Sequence, residues 1–190
     1  KVNSVNGVQL NALVNTITLR TAGAGNVSIN ESDALYVKSV VAQQGRIDIT
    51  AGGGESGVAS GHAADNRYDL RVEEVRTIDD GYGIRIRSGG DMYVDYVEAG
   101  SAKGAQKGAG STVEVDARGT IYEMLAAVRN DKGAITGYAF DQRDADLYGY
   151  SVSVKGVTAH APKLLLNQDM AATGNELEVR YTGPDAARFS

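Results

Sequence analysis

Asp141, Asp144 and Asp146, with Tyr138, Tyr148 and Tyr150 around them, form the one dense acidic cluster beside aromatic residues in the chain. Carboxylates set two apart on a strand share a face, and tyrosine rings beside them offer flat surfaces for a sugar. The cluster is therefore the candidate for contact with a glycan or a protein partner. Cleavage of a glycan asks for more, namely an acid and a second carboxylate held at a fixed separation across the bond. An acidic cluster is also what an ordinary solvated surface contains, so no catalytic residue is assigned.

Other chemistry finds no footing in the residues. His62 and His160 lie far apart in the sequence, and no H-E-x-x-H spacing exists, so no metal site is expected. The absence of Cys removes disulfides, thiolate metal sites and Cys nucleophiles together. Gly104 to Thr112 (GAQKGAGST) lacks the Gly-Lys-Ser/Thr order of a phosphate loop, and Gly89-Gly90-Asp91 is too short a fragment of a calcium-binding nonapeptide. Asn26-Val27-Ser28 and Asn30-Glu31-Ser32 fit a glycosylation pattern that chance also supplies. The net charge of -5, with both signs interspersed, argues against a nucleic-acid partner. No apolar run approaches the roughly 18 residues of a membrane span. No cofactor is implied, and the chain is read as something other than an enzyme.

The elements that would position any site are repetitive. One spacing recurs: apolar, any, Val, any, any, Val. It appears as Leu35-Tyr36-Val37-Lys38-Ser39-Val40, Leu70-Arg71-Val72-Glu73-Glu74-Val75, Met92-Tyr93-Val94-Asp95-Tyr96-Val97 and Val152-Ser153-Val154-Lys155-Gly156-Val157. Apolar residues two apart point to one face of a strand, and the polar pair then shifts the phase before the next Val turns inward. A chain turning a corner around a shared interior needs such a shift. A second strand follows the copies: Ile47-Asp48-Ile49, Ile84-Arg85-Ile86, Val113-Glu114-Val115 and Leu164-Leu165-Leu166, with Gly45, Gly83 and Gly110 leading into the first three. Gly25-Asn26-Val27-Ser28-Ile29 and Leu177-Glu178-Val179 are read as a third strand type.

These features predict an all-β, right-handed parallel β-helix, a solenoid with loop and hairpin insertions. An antiparallel sandwich also has many short strands but needs no internal repeat. A core of Val, Ile, Leu and Ala, with no Trp and two Phe among 24 Gly, suits short stacked strands joined by tight corners. Insertions are expected at about 51–67, 98–112 and 117–149. The last is read as a hairpin turning at Asn130-Asp131-Lys132-Gly133, with a short helix over Tyr122 to Val128 as the alternative. Residues 1–190 are taken as a single segment of a longer protein, since the start (Lys1-Val2-Asn3) has neither Met nor a signal-peptide pattern.

The units GNVSI, DALYVKSVVAQQGRIDITAGG and YSVSVKGVTAHAP resemble the body repeats of filamentous-haemagglutinin-type exoproteins, very large bacterial surface adhesins. The resemblance covers roughly residues 25–97 and 150–181 and is one of pattern. It implies a structural or adhesive segment of a secreted bacterial surface protein, whose loops meet a host, a cell or the matrix. Partners would be glycans or surface proteins at the loops, and neighbouring coils of the same long chain. A carbohydrate-active β-helix protein and a self-assembling surface-layer or fibre subunit are the rival expectations.

Overall fold

The computed structural model describes residues 1–52, 68–100, 110–119, 121–123, 126–132, 135–139, 147–156 and 176–181. Among them the chain forms strands and no helix. One sheet holds β1 (Val2–Ser4), β3 (Thr16–Ala24), β5 (Leu35–Gln44), β7 (Leu70–Thr77) and β9 (Met92–Glu98), followed by β11 (Ile121–Glu123) and β14 (Leu147–Tyr148). The other holds β2 (Val8–Ala12), β4 (Val27–Glu31), β6 (Ile47–Ala51), β8 (Ile84–Ser88), β10 (Thr112–Ala117), β15 (Ser151–Gly156) and β16 (Glu176–Tyr181). Every pairing within these two sheets is parallel. From β1 to β10 the chain visits the two sheets alternately, so each visit to both makes one rung laid on the rung before.

The register follows the apolar pattern. Leu35, Leu70 and Met92 align, as do Val37, Val72 and Val94, and then Val40, Val75 and Val97. All nine are buried. Across the interior Val27, Ile47, Ile84 and Val113 stack in the second sheet, with Ile29, Ile49, Ile86 and Val115 beside them. Strands paired on both edges and sharing one closed interior bury β-branched side chains with little polar cost, which is why Val and Ile dominate. The step from Val27 to Ile47 is one rung.

Two expectations change. Val27 and Ile47 lie in the same sheet, and so do Val152 and Leu177, so the supposed third strand type belongs to the second. The fourth copy of the spacing also moves: Val152 and Val154 are buried but pair with Val113 and Val115 in the second sheet. Apolar–any–apolar is common to both strand types, and the distinguishing third position of that copy, Val157, lies outside the described residues, as does Leu164–Leu166. The first sheet takes its next layer from Ile121 and Leu147 instead. Ile121 sits on Met92, Leu147 sits on Val97, and both are buried.

Buried polar groups tie the corners. The Glu31 carboxylate, 1% exposed, accepts the Val14 amide at 2.7 Å and the Ser32 amide at 2.9 Å. Thr77 donates its hydroxyl to the Tyr82 carbonyl at 3.2 Å and accepts the Gly100 amide at 2.9 Å. Such bonds spare corner amides and carbonyls the cost of burial without a partner.

Between β11 and β14 lies an antiparallel hairpin, β12 (Ala126–Arg129) and β13 (Ile135–Ala139), which pairs with neither large sheet. Its two strands flank a turn at Asp131 and Lys132. The alternative helix over Tyr122 to Val128 is replaced by β11 and β12.

Candidate functional site

The outward face of the first sheet carries the densest side-chain chemistry among the described residues. The position between the first two inward apolar residues of each strand points away from the core, and in register it reads Tyr36, Arg71, Tyr93 and Tyr122. The Arg71 guanidinium carbon lies 5.0 Å from the Tyr93 ring centre. Tyr93 in turn stacks on Tyr122 at 5.0 Å between centres, with the planes 16° apart. An exposed cation on a ring contributes roughly 0.5–1 kcal/mol, and a ring pair contributes a similar amount. Tyr36, on the other side of Arg71, donates its hydroxyl to Glu73 and has the Lys38 ammonium 5.9 Å from its ring centre. Arg71 thus stacks on Tyr93, while Tyr36 is engaged by Glu73. Ser153, which holds the same place in the fourth copy of the spacing, belongs to the second sheet and sits on Glu114.

Burial first, then the hydrogen bond and negative charge of Glu73, push the Tyr36 phenol up to about 12. Burial also raises Tyr93, followed by the charges of Asp69 and Asp91.

A second knot lies further along the same strands, past the polar pair. Glu98 points outward yet is only 2% exposed. Its Oε2 accepts Arg76 Nε at 2.9 Å and the Tyr96 hydroxyl at 2.9 Å. Arg76 also stands 3.8 Å from Glu74, which accepts the Ser39 hydroxyl at 2.7 Å. The Arg76 guanidinium lies 5.8 Å from the Tyr96 ring centre, and Tyr148 packs against Tyr96 at 5.6 Å with its ring tilted 58°. Burial, with the Glu98 charge second, raises the Tyr96 phenol well above its ordinary value.

On the second sheet Asp48, Arg85 and Glu114 are register neighbours. Arg85 Nε meets Glu114 at 2.6 Å, whereas Asp48 is met by Arg87 at 3.2 Å. Glu114 raises the Arg85 guanidinium above its ordinary value, through its hydrogen bond and then its charge.

Of the residues singled out from the sequence, Tyr148 lies in this outward face, paired with Glu98 in register. Tyr150 stands at the next corner, where its amide donates to the Ser111 carbonyl at 2.6 Å. Tyr138 lies on β13 opposite Ala127. Asp141, Asp144, Asp146, His62 and His160 lie outside the described residues. Arg76 and Glu98 were missed because the repeat was aligned only as far as its third apolar residue, and Tyr96 because it was read only as one of the two residues that break the alternation. One position further, Val41, Arg76 and Glu98 line up in register.

Chemically this face is a set of internally satisfied ladders. The carboxylates of Glu73, Glu74 and Glu98, and that of Glu114 on the second sheet, are each engaged by a tyrosine, serine or arginine. Among the described residues no cluster of three or more His, Cys, Asp or Glu is arranged to hold a metal, and no helix is long and apolar enough to cross a membrane. No family model matches the chain, and no curated protein or solved structure matches it either.

Proposed function

We propose that this chain is a segment of a right-handed parallel β-helix and serves as the stiff, contact-making part of a large secreted bacterial surface adhesin. The observation that supports this reading is the in-register stack of like residues, rung upon rung, interrupted by a hairpin that pairs with neither sheet. Parallel rungs joined by backbone hydrogen bonds about 4.8 Å apart turn sequence length into a rigid spacer. Right-handedness follows the general rule for parallel crossovers, of which about 98% have that hand. The outward ladders described above use their polar groups on one another, which suits a shaft wall better than a reaction centre. Contact then falls to the inserted segments, where a rigid frame commonly carries its binding groups. Their targets are surface glycans or proteins of a host, a neighbouring cell or the matrix.

Immobilised protein presented to intact cells, matrix components and a panel of soluble polysaccharides tests this directly. Saturable retention of cells or matrix without release of sugar fragments is the expected result. Release of shortened polysaccharide would replace the adhesin with a carbohydrate-cleaving enzyme. Ordered fibres or sheets formed by the protein alone, with no retention, would replace it with an assembly subunit.

A further inference from the structure

The rung made by β1 and β2 is covered on one face. Among the described residues β1 pairs with β3 alone and β2 with β4 alone, so each presents an outer edge of backbone amides and carbonyls. The inward residues show the same one-sided cover. Val2, Val8 and Leu10 stand on Leu19, Val27 and Ile29. The latter three are buried and the former only partly so, which leaves the apolar core open at this end. The large apolar side chains exposed among the described residues rim the same end: Val5 at 73%, Leu13 at 80% and Val14 at 39%. Val5 lies in the corner between β1 and β2, and Leu13 and Val14 lie in the corner between β2 and β3.

Proteins ordinarily keep edge strands from pairing by charges, prolines or bulges. Residues 2–19 contain no Asp, Glu, Lys, Arg or Pro, and neither pairing carries a bulge. Further along the stack β6, β8 and β10 carry Asp48, Arg85 and Glu114 outward. We propose that this end docks onto the same end of a second copy, β1 on β1 and β2 on β2, as a closed two-fold dimer. The proposal rests on the stacked rungs and goes beyond the adhesive role. An occupant must extend two strand edges at once, continue an apolar interior and meet an uncharged rim, and a second copy of this end does all three. In a two-fold contact a charged rim would set like charges against each other, whereas this rim sets none. The two-fold also runs the paired strands antiparallel. Over β2, about 17 Å long, that carries the Leu13 corner of each copy to the Val5 corner of the other, and so covers the apolar residues at both ends.

Analytical ultracentrifugation of the 190-residue protein between about 5 and 200 µM tests the proposal. A monomer–dimer equilibrium in the micromolar range with no larger species is expected, because the contact is small and closes on itself. A monomer throughout would overturn it and leave this end to a further rung or a different protein. Open-ended growth would overturn it too. Val5→Lys/Leu13→Lys should weaken the dimer by about tenfold or more, and Val5→Glu/Leu13→Lys, which sets opposite charges across the two-fold, should weaken it less. Equal losses would overturn the antiparallel contact. Both variants should keep the parent's Tm, since both side chains are exposed; a fall of about 10 °C or more would place them inside the fold and overturn the proposal. Failure of the stack itself is read separately from Val72→Asp, which lies far from this end and should unfold the chain.

Discussion

Glu98 faces away from the core and is nevertheless closed off from solvent, held by Arg76 and Tyr96. A carboxylate in that position is tolerated only while its partners remain, because an uncompensated charge loses its water without gaining a counterion. Arg76→Met should therefore destabilise the protein by about 2–3 kcal/mol, while adding Glu98→Leu to it should recover most of the loss. Urea denaturation of the single and double variants checks this; equal losses would mean that the pair is not coupled. The tyrosines of the same face make a pH prediction. The folded chain holds the Tyr36 phenol at about 12, above its ordinary 10.0, and raises Tyr93 and Tyr96 as well. A pKa raised in the folded state means that the fold favours the neutral phenol. For Tyr36 that contribution is fully present below about pH 10 and is lost as the pH climbs through about 12. Thermal unfolding across that interval should show a falling Tm, and Tyr36→Phe should make the fall shallower. A parent Tm that is flat across the interval would contradict the burial of these rings.

At the scale of the strand, the corner glycines and the bend decide the geometry. Gly25 and Gly45 enter β4 and β6 with φ near +144° and +142°, and a Cβ on Gly45 would run into the Gly25 carbonyl of the rung beside it. Gly45→Ala combines a left-handed backbone with that clash and should cost about 1–3 kcal/mol. Leu70→Ala, which empties part of a fully buried column, should cost about 2–5 kcal/mol, whereas Arg71→Ala next to it should cost about 1 kcal/mol or less. Chemical denaturation of the three variants orders them; an Arg71 effect equal to that of Leu70 would reverse the assigned facing. The strands from 25 to 97 were legible because three consecutive rungs keep the same apolar spacing and the same polar pair. Residues 1–24 were less so: Ile17 and Leu19 align with Val37 and Val40, so β3 has one residue fewer than β5 between its inward positions and lacks the polar pair. The hairpin was legible from its turn residues. The second-sheet identity of Val152 was not, since period-two alternation alone does not say which sheet a strand joins.

Across the whole molecule, the least legible feature was the rung split between β11 and β14. Its inward residues, Ile121 and Leu147, are separated by the insertion, so no local window contains the pattern. The candidate cluster suffers from the same separation: Tyr148 proves to belong to a rung, while Tyr138 belongs to the hairpin. Both facts follow from the parallel stacking that the account rests on, and the chain's lack of Cys allows a clean test of it. Gln9, Ser28, Asp48, Arg85 and Glu114 form one outward column of register neighbours. Cysteines at neighbouring positions of that column should come within disulfide reach, with Cα atoms about 4.4–6.8 Å apart, whereas positions two rungs apart should not. The measurement is intramolecular disulfide formation under mild oxidation, read by mass spectrometry in Ser28→Cys/Asp48→Cys, Asp48→Cys/Arg85→Cys and Ser28→Cys/Arg85→Cys. Parallel stacking predicts rapid bridging in the first two and none in the third. Bridging in the third pair, or in neither of the first two, would contradict it.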